Sequence, residues 1–480
     1  MRSTPARHLR LATMVALVCS ASGVAWAGAS SPPASAAGSA LPIPSVRAVT
    51  LPEALAYARA HQPAVRAALA RIAEQRANAT VPRAQWYPFL GGTAQVLEGT
   101  ANNSTASYFG TGAVDLPRIG GTRSNPTSAD PRWRPYASTL AALGGNQEVF
   151  DFGRIAAASA AADAEVTVAQ RAADAVTLDI ALGVEEAYFA VNAAKSILTS
   201  AEQAYERARV HRDFAQAGVR SGLHSPIELT RAEADLTRFD TARIRALGGV
   251  SAAQAVLAAA VGAADPALDA ANVPTTAAEL PALGDALRAA QAKEPRLQAA
   301  IASLRSQEQQ TRAIGALMRP DLQLSATISA RAGGAPPSGT DARTINGFVP
   351  EVPNWDVGLV LAWPLYDPVI AARREASRAV EQVRREEIDL EREQLVATVE
   401  RAYVAVDVAR RALPSLQREV EAARANYAQA DARFKAGLGT SVELADAEAL
   451  RTDAEIRLAM GIFDLAKARA SFGRTLAEKL

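Results

Sequence analysis

Residues able to do bond chemistry are few and scattered along this chain of 480 residues. Cys19 is the only cysteine. His61, His211 and His224 lack the short, regular spacing by which side chains gather a metal ion, and they read as solvated or capping positions. No nucleophile motif and no phosphate-cradling glycine loop occurs. The 51 Lys and Arg residues balance 50 Asp and Glu, for a net charge of +1, which excludes an electrostatic nucleic-acid binder. The reading is therefore of a non-enzyme without cofactor or metal.

The first residues read as a secretory leader. Arg2, Arg7 and Arg10 precede an apolar run from Leu11 to Val18, and Ala25-Trp26-Ala27 offers a cleavage site before Gly28. Cys19 falls inside this leader, and Leu17-Val18 before it fit a lipidation signal poorly. Residues 1–27 are assigned to the leader and 28–50 to a disordered or extended segment. Beyond it no apolar run of about 18 residues stands out, so any membrane crossing would use strands closed into a barrel.

The remaining chain is written twice. At a shift of 232, Ala54-Leu55 meets Ala286-Leu287, Pro63 meets Pro295 and Pro88 meets Pro320. At a shift of 215, Tyr188 meets Tyr403, Gly222 meets Gly437, and Ala232-Glu233-Ala234 meets Ala447-Glu448-Ala449. The change of shift falls in Gly/Pro/Ser-rich stretches at 100–132 and 333–353, which read as loops of different length. This gives a first repeat at 51–262, a Pro-rich linker at 263–282 and a second repeat at 283–480, taken as two halves of one body.

Each repeat carries two strand patterns. Residues 321–331 alternate, with Leu322, Leu324, Ala326, Ile328 and Ala330 on one face and polar residues on the other. Residues 354–363 alternate likewise, with Trp355 and Trp363 at the two ends of the apolar face, where a membrane girdle would lie. The first-repeat equivalents, about 86–98 and 136–149, are diluted by Gly91-Gly92. Four strands cannot close a barrel, and lipid does not tolerate open edges. The chain must therefore oligomerise: two copies give eight strands and three give twelve.

The helical pattern is longer than a globular domain needs. Apolar or small residues recur at spacings of four and three from Leu395 through Val399, Ala402 and Val406 to Phe434. The first repeat does the same from Ile180 to Val219, with Arg212 the exception. A helix from about 154 to 217 would be roughly 95 Å long. Each rod reverses at a glycine turn, at 218–224 (Gly218, Gly222, Leu223) and 436–441 (Gly437, Leu438, Gly439). Ser225-Pro226 is expected to cap and start one returning helix and Ser441 to cap the other. Pro414 should kink its rod locally.

This doubled order of helix, strand, strand, long helix, turn and helix resembles the TolC-type outer membrane efflux family over about residues 51–478. Three motifs carry the resemblance: Leu51-Pro52-Glu53-Ala54-Leu55 with Pro63; Val149-Phe150-Asp151-Phe152-Gly153 with Pro364-Leu365-Tyr366-Asp367; and Arg433-Phe434-Lys435-Ala436-Gly437 with Val442-Glu443-Leu444. The resemblance implies a mainly α chain that gives four strands to a shared 12-stranded β-barrel in the outer membrane. Its long coiled-coil helices would form a periplasmic α-barrel. It implies a homotrimer, a periplasmic adaptor protein and an inner-membrane transporter as partners, outer-membrane lipid around the barrel, and no nucleic acid.

By motif position the resemblance makes Glu228, Glu443 and Asp446 candidates for a carboxylate ring at the periplasmic aperture. Phe434 becomes an aromatic that ties neighbouring coiled coils. The tip turns would contact the adaptor, and Asp151, Gly153 and Asp367 would shape the strand-to-helix junctions, the two aspartates as caps. Gly439 stands where the family pattern can carry an arginine, so the ion pair of that arginine is not carried over. The functional reading is the exit channel of a tripartite efflux system for small molecules. The same body would serve as the exit duct of a type I protein-secretion system. A periplasmic coiled-coil scaffold without a barrel is the third class.

Overall fold

The computed structural model describes residues 48–100, 135–222, 225–263, 268–272, 280–332 and 352–477. The leader, most of the segment after it, and Leu223 and His224 lie outside these residues.

The first half runs α1 (Leu51–His61), α2 (Pro63–Ala84), β1 (Phe89–Thr100), β2 (Pro135–Phe150), α3 (Arg154–Arg220) and α4 (Pro226–Val261). The second runs α5 (Leu283–Lys293), α6 (Pro295–Ala316), β3 (Asp321–Ala332), β4 (Val352–Ala362), α7 (Pro368–Lys435) and α8 (Ser441–Thr475). Prolines at N1 set the starts of α2, α4, α6 and α7, where a missing N–H costs nothing. The 67 residues of α3 and 68 of α7 make rods about 100 Å long. Pro414 lies within α7, which continues through it as one helix.

The strands form one antiparallel sheet in the order β1-β2-β3-β4. Cross-strand rows fix its two faces: Leu90, Gly145, Ala326 and Val357 stand side by side, as do Gly92, Leu143, Ile328 and Trp355. The opposite face carries rows such as Thr93, Ala142, Ser329 and Asn354. One face is thus apolar and open, with Trp355 78% exposed, and the other is largely polar. A bulge at Val149, between Glu148 and Phe150, ends β2. β1 starts three residues after the sequence pattern placed it, because backbone turns at Gln85–Tyr87 and Pro88 delay pairing. Trp363 stands one residue past the end of β4.

Below the sheet the rods pack in pairs, α3 with α4 and α7 with α8, and α8 also lies along α3. The second-half core joins Ala290 and Leu297 to Val399, Val406, Leu465 and Phe472. In the first half Val184, Tyr188, Val191, Leu257 and Val261 are fully buried. The Tyr188 hydroxyl donates to the Ala271 carbonyl (2.7 Å), and Val49 bridges Ala270, so the linker is stitched to the start of the first repeat. Arg474 on α8 binds Asp179 on α3 (2.6 Å) and Glu294 before α6 (3.0 Å), fastening the two halves together.

The second half of α4 is more apolar on average than its sequence suggests at a glance. By length and composition α4 is, among the described residues, a helix apolar enough to cross a membrane, with a mean hydropathy of 1.5 over its best window. No uninterrupted apolar run marks it, because Arg245, Gly248 and Gly249 break the stretch while Ala and Val raise the average. The helix lies along α3 as one arm of a coiled coil.

Candidate functional site at the hairpin tips

Both rods reverse at the end far along the chain from the sheet. At the first tip α3 continues through Gly218 to Arg220, so Gly218 is a buried helix residue rather than part of the turn. Ser221 and Gly222 donate to the carbonyls of Ala217 and Val219, and Gly222 takes φ +74°, the left-handed geometry that ends a helix. Ser225 is the N-cap of α4, but its hydroxyl makes no capping bond; Pro226 and backbone geometry start the helix. Glu228 is half-buried in the first turn.

At the second tip Gly437 takes φ +71° and the loop folds back on the helix end. Leu438 and Gly439 donate to the Arg433 carbonyl (2.8 and 3.1 Å), and the Arg433 guanidinium donates to the Leu438 carbonyl (3.2 Å). A Cβ on Gly439 would stand 3.1 Å from the Phe434 nitrogen. A side chain there would crowd the end of α7, so the folded-back loop favours glycine at this position. The cap is Thr440, not Ser441: the Glu443 N–H donates to the Thr440 hydroxyl (3.2 Å), and the Thr440 N–H donates to the Glu443 carboxylate (3.4 Å). Ser441 is the first helical residue and is buried. Glu443 and Asp446 are exposed on α8, and Leu438 is open at the turn.

Phe434 is buried against the rings of His211 (4.9 Å) and Phe214 (5.7 Å) on α3, so it joins the two hairpins of one chain. Above it lies a set of charges that sequence reading missed. Arg207 on α3 grips Glu448 on α8 with both Nε and Nη2 (2.7–2.9 Å), and Thr452 donates to the same carboxylate (3.2 Å). Arg207 and Arg451 flank the Tyr427 ring at 5.7 and 5.1 Å. Burial, helped by the nearby Glu448 charge, pushes the Tyr427 hydroxyl up to about 12. Glu455 takes Arg424 at 2.9 Å and Arg451 at 3.3 Å. The repeat counterpart of Glu448 gave no warning: Glu233 is exposed. Arg212, the exception in the heptad pattern, lies 2.8 Å from its neighbour Asp213.

At the strand-to-helix junctions, Asp367 is the N-cap of α7, accepting from Val369 (2.8 Å) and Ile370 (3.2 Å). Asp151 acts from further back. It accepts from the N–H groups of Gly153 and Ile155, while Phe152 and Gly153 both take positive φ. Gly153, at φ +95°, is the formal N-cap of α3. Trp363, Trp86, Tyr87, Phe150, Phe152 and Tyr366 are all exposed and flank the same ends of their strands, and the Phe150 and Phe152 rings meet edge to face at 4.6 Å. Trp86 and Tyr87 fell inside the strand expected at about 86–98, but the structure leaves them in the turn before β1. His61 closes α1 against the Tyr57 carbonyl (3.0 Å), and His224 lies outside the described residues.

This arrangement, an open sheet with one apolar face above paired rods about 100 Å long, matches known proteins. The profile of the family described as "Outer membrane efflux protein" covers residues 54–263 and 286–474. The chain is 29% identical to protein CyaE of Bordetella pertussis over 406 residues, 83% of this chain and 78% of that one. Its fold resembles the outer membrane channel CmeC of Campylobacter jejuni (13% identity, TM-score 0.71, 89% and 85% of the two chains). It also resembles the outer membrane protein VceC of Vibrio cholerae (17% identity, TM-score 0.69, 89% and 96%). The chain belongs to the outer membrane efflux protein family, with a TolC-like fold that places its strands in the outer membrane and its helices in the periplasm.

Proposed function

We propose that three copies of this chain form the outer-membrane exit channel of a tripartite efflux system, passing small molecules outward from an inner-membrane pump through a periplasmic adaptor. The observation that carries the reading is the four-stranded sheet with one apolar face and outer edges β1 and β4. Antiparallel order makes β4 of one copy a fitting partner for β1 of the next, and three copies give twelve strands without an edge. The polar face then lines a lumen that continues between the rods.

At the far end, symmetry turns exposed Glu443 and Asp446, with Glu228, into rings of carboxylates at the aperture, which favour cations. The turns at Gly222, Leu223, Gly437, Leu438 and Gly439, with Gly218 in the helix just above, are the surface for the adaptor. Phe434 and the Arg207–Glu448 clasp hold the two hairpins of each chain together. The test is mass in detergent followed by planar-bilayer conductance. A trimer with cation-selective conductance supports the reading, and a monomer without conductance overturns it. Co-expression with a drug-type pump or a protein-exporting ATPase separates small-molecule from protein cargo by which export it restores.

A further inference from the structure

The lipid-facing wall of the sheet is not flat. The row Leu90, Gly145, Ala326, Val357 has large residues on the outer strands and small ones in the middle. Along the strands the low ground at Gly145 and Ala326 is bounded by Leu143, Leu324 and Ile328, with Trp355 standing beside it. The result is an apolar groove of about 920 Å³, within the size range of sites that hold small ligands. Backbone packing keeps its floor low. A Cβ on Gly145 would stand 2.8 Å from the Phe89 carbonyl oxygen and 2.7 Å from Leu90 Cδ2.

We propose that this groove seats one acyl chain of a phospholipid from the surrounding bilayer and holds it longer than the rest of the wall holds its lipid. The groove is continuous with the apolar face that meets hydrocarbon, so its occupant is taken from the bilayer. It opens sideways, away from the polar face, which separates it from any cargo route. A protein partner would seek the hydrogen-bonding edges at β1 and β4, whereas the groove offers mostly apolar side chains, with Gln147 already donating to the Trp86 carbonyl, and backbone already paired within the sheet. The inference rests on the placement of the strands in the outer membrane and on no particular cargo or partner.

Trp355 provides the probe. In the full chain, Trp26, Trp86, Trp133 and Trp363 are changed to Phe, leaving Trp355 as the sole tryptophan; a second reporter keeps Trp363 alone. Each is reconstituted with phosphatidylethanolamine bearing brominated acyl chains, which quench by contact, then diluted into an excess of unbrominated lipid. The expected result is that Trp355 recovers its fluorescence about tenfold more slowly than Trp363, the equivalent of about 1.4 kcal/mol of retention. Ala326→Phe fills the groove and should bring Trp355 to the rate of Trp363. Ala326→Leu, a milder filling, should bring it part of the way and serves if the larger side chain disturbs assembly. Equal recovery of the two reporters in the unfilled protein overturns the proposal. So does displacement of the retained quencher by dodecyl maltoside at equal mole fraction, which would mean that any alkyl tail suffices.

Discussion

Removing Arg207 should loosen the hairpin tip without unfolding the rods. Its guanidinium meets Glu448 at 2.7 Å, and the two side chains are 18% and 6% exposed. At an effective dielectric of about 20, that separation corresponds to about 6 kcal/mol of gross attraction. Desolvation offsets much of it, but truncation leaves the carboxylate buried beside Tyr427 with its Thr452 bond and no cation in the same grip. Breaking such a pair from one side costs about 3–5 kcal/mol, and the partial exposure of Arg207 puts Arg207→Ala at about 3 kcal/mol, near the low end. Because the clasp joins α3 to α8 above the tips, the loss should appear as local opening. Hydrogen exchange is the assay. Amides in the first turns of α8 and around residues 205–215 of α3 should lose protection by a factor on the order of 100, while those of α5 and α6 keep theirs. In a double-mutant cycle with Glu448→Ala the coupling should exceed about 1.5 kcal/mol. Coupling below about 0.5 kcal/mol, or loss of protection spread evenly over the chain, would refute the reasoning.

Three further outcomes are expected. Thr440→Ala should lower stability by about 1 kcal/mol through loss of the cap, while Ser441→Ala should be neutral or slightly stabilising because that buried hydroxyl oxygen has no hydrogen-bond partner; paired melts compare the two. Burial pushes the Glu185 carboxyl up to about 7 from an ordinary 4.5, so the folded state holds a proton that the unfolded chain releases. Its stabilising protonation is complete below about 4.5 and fades as pH rises through about 7, a change of about 3 kcal/mol; Glu185→Gln should remove that slope from melting curves, and an unchanged slope would count against the burial argument. Glu443→Gln with Asp446→Asn should reduce cation selectivity in bilayers while the oligomer mass stays the same, and unchanged selectivity would remove these residues from the aperture.

Periodicity made most of the architecture legible before any coordinates. Alternation at 321–331 and 354–363 marked β3 and β4, and the heptad spacing through Val399 and Val406 marked a rod that ends at Lys435. These signals are local and repeat, so they survive without tertiary context. The cap of α8 was within reach too. Thr440-x-x-Glu443 is a capping box, and placing the cap on Ser441 overlooked that spacing. Gly218 misled because a glycine near a helix end need not be the one in left-handed geometry; Gly222 is.

The sequence by itself determined the doubled order, the alternating strands and the length of the rods, since each depends on neighbours a few residues apart. Only the tertiary structure decided which charges meet. Arg207 and Glu448 are 241 residues apart, and the repeat alignment pointed Glu448 toward exposed Glu233. The groove over Gly145 and Ala326 also needed the register of four strands before its floor could be seen. Both arise because packing brings distant segments side by side, and no local pattern encodes which side chain will be across the gap.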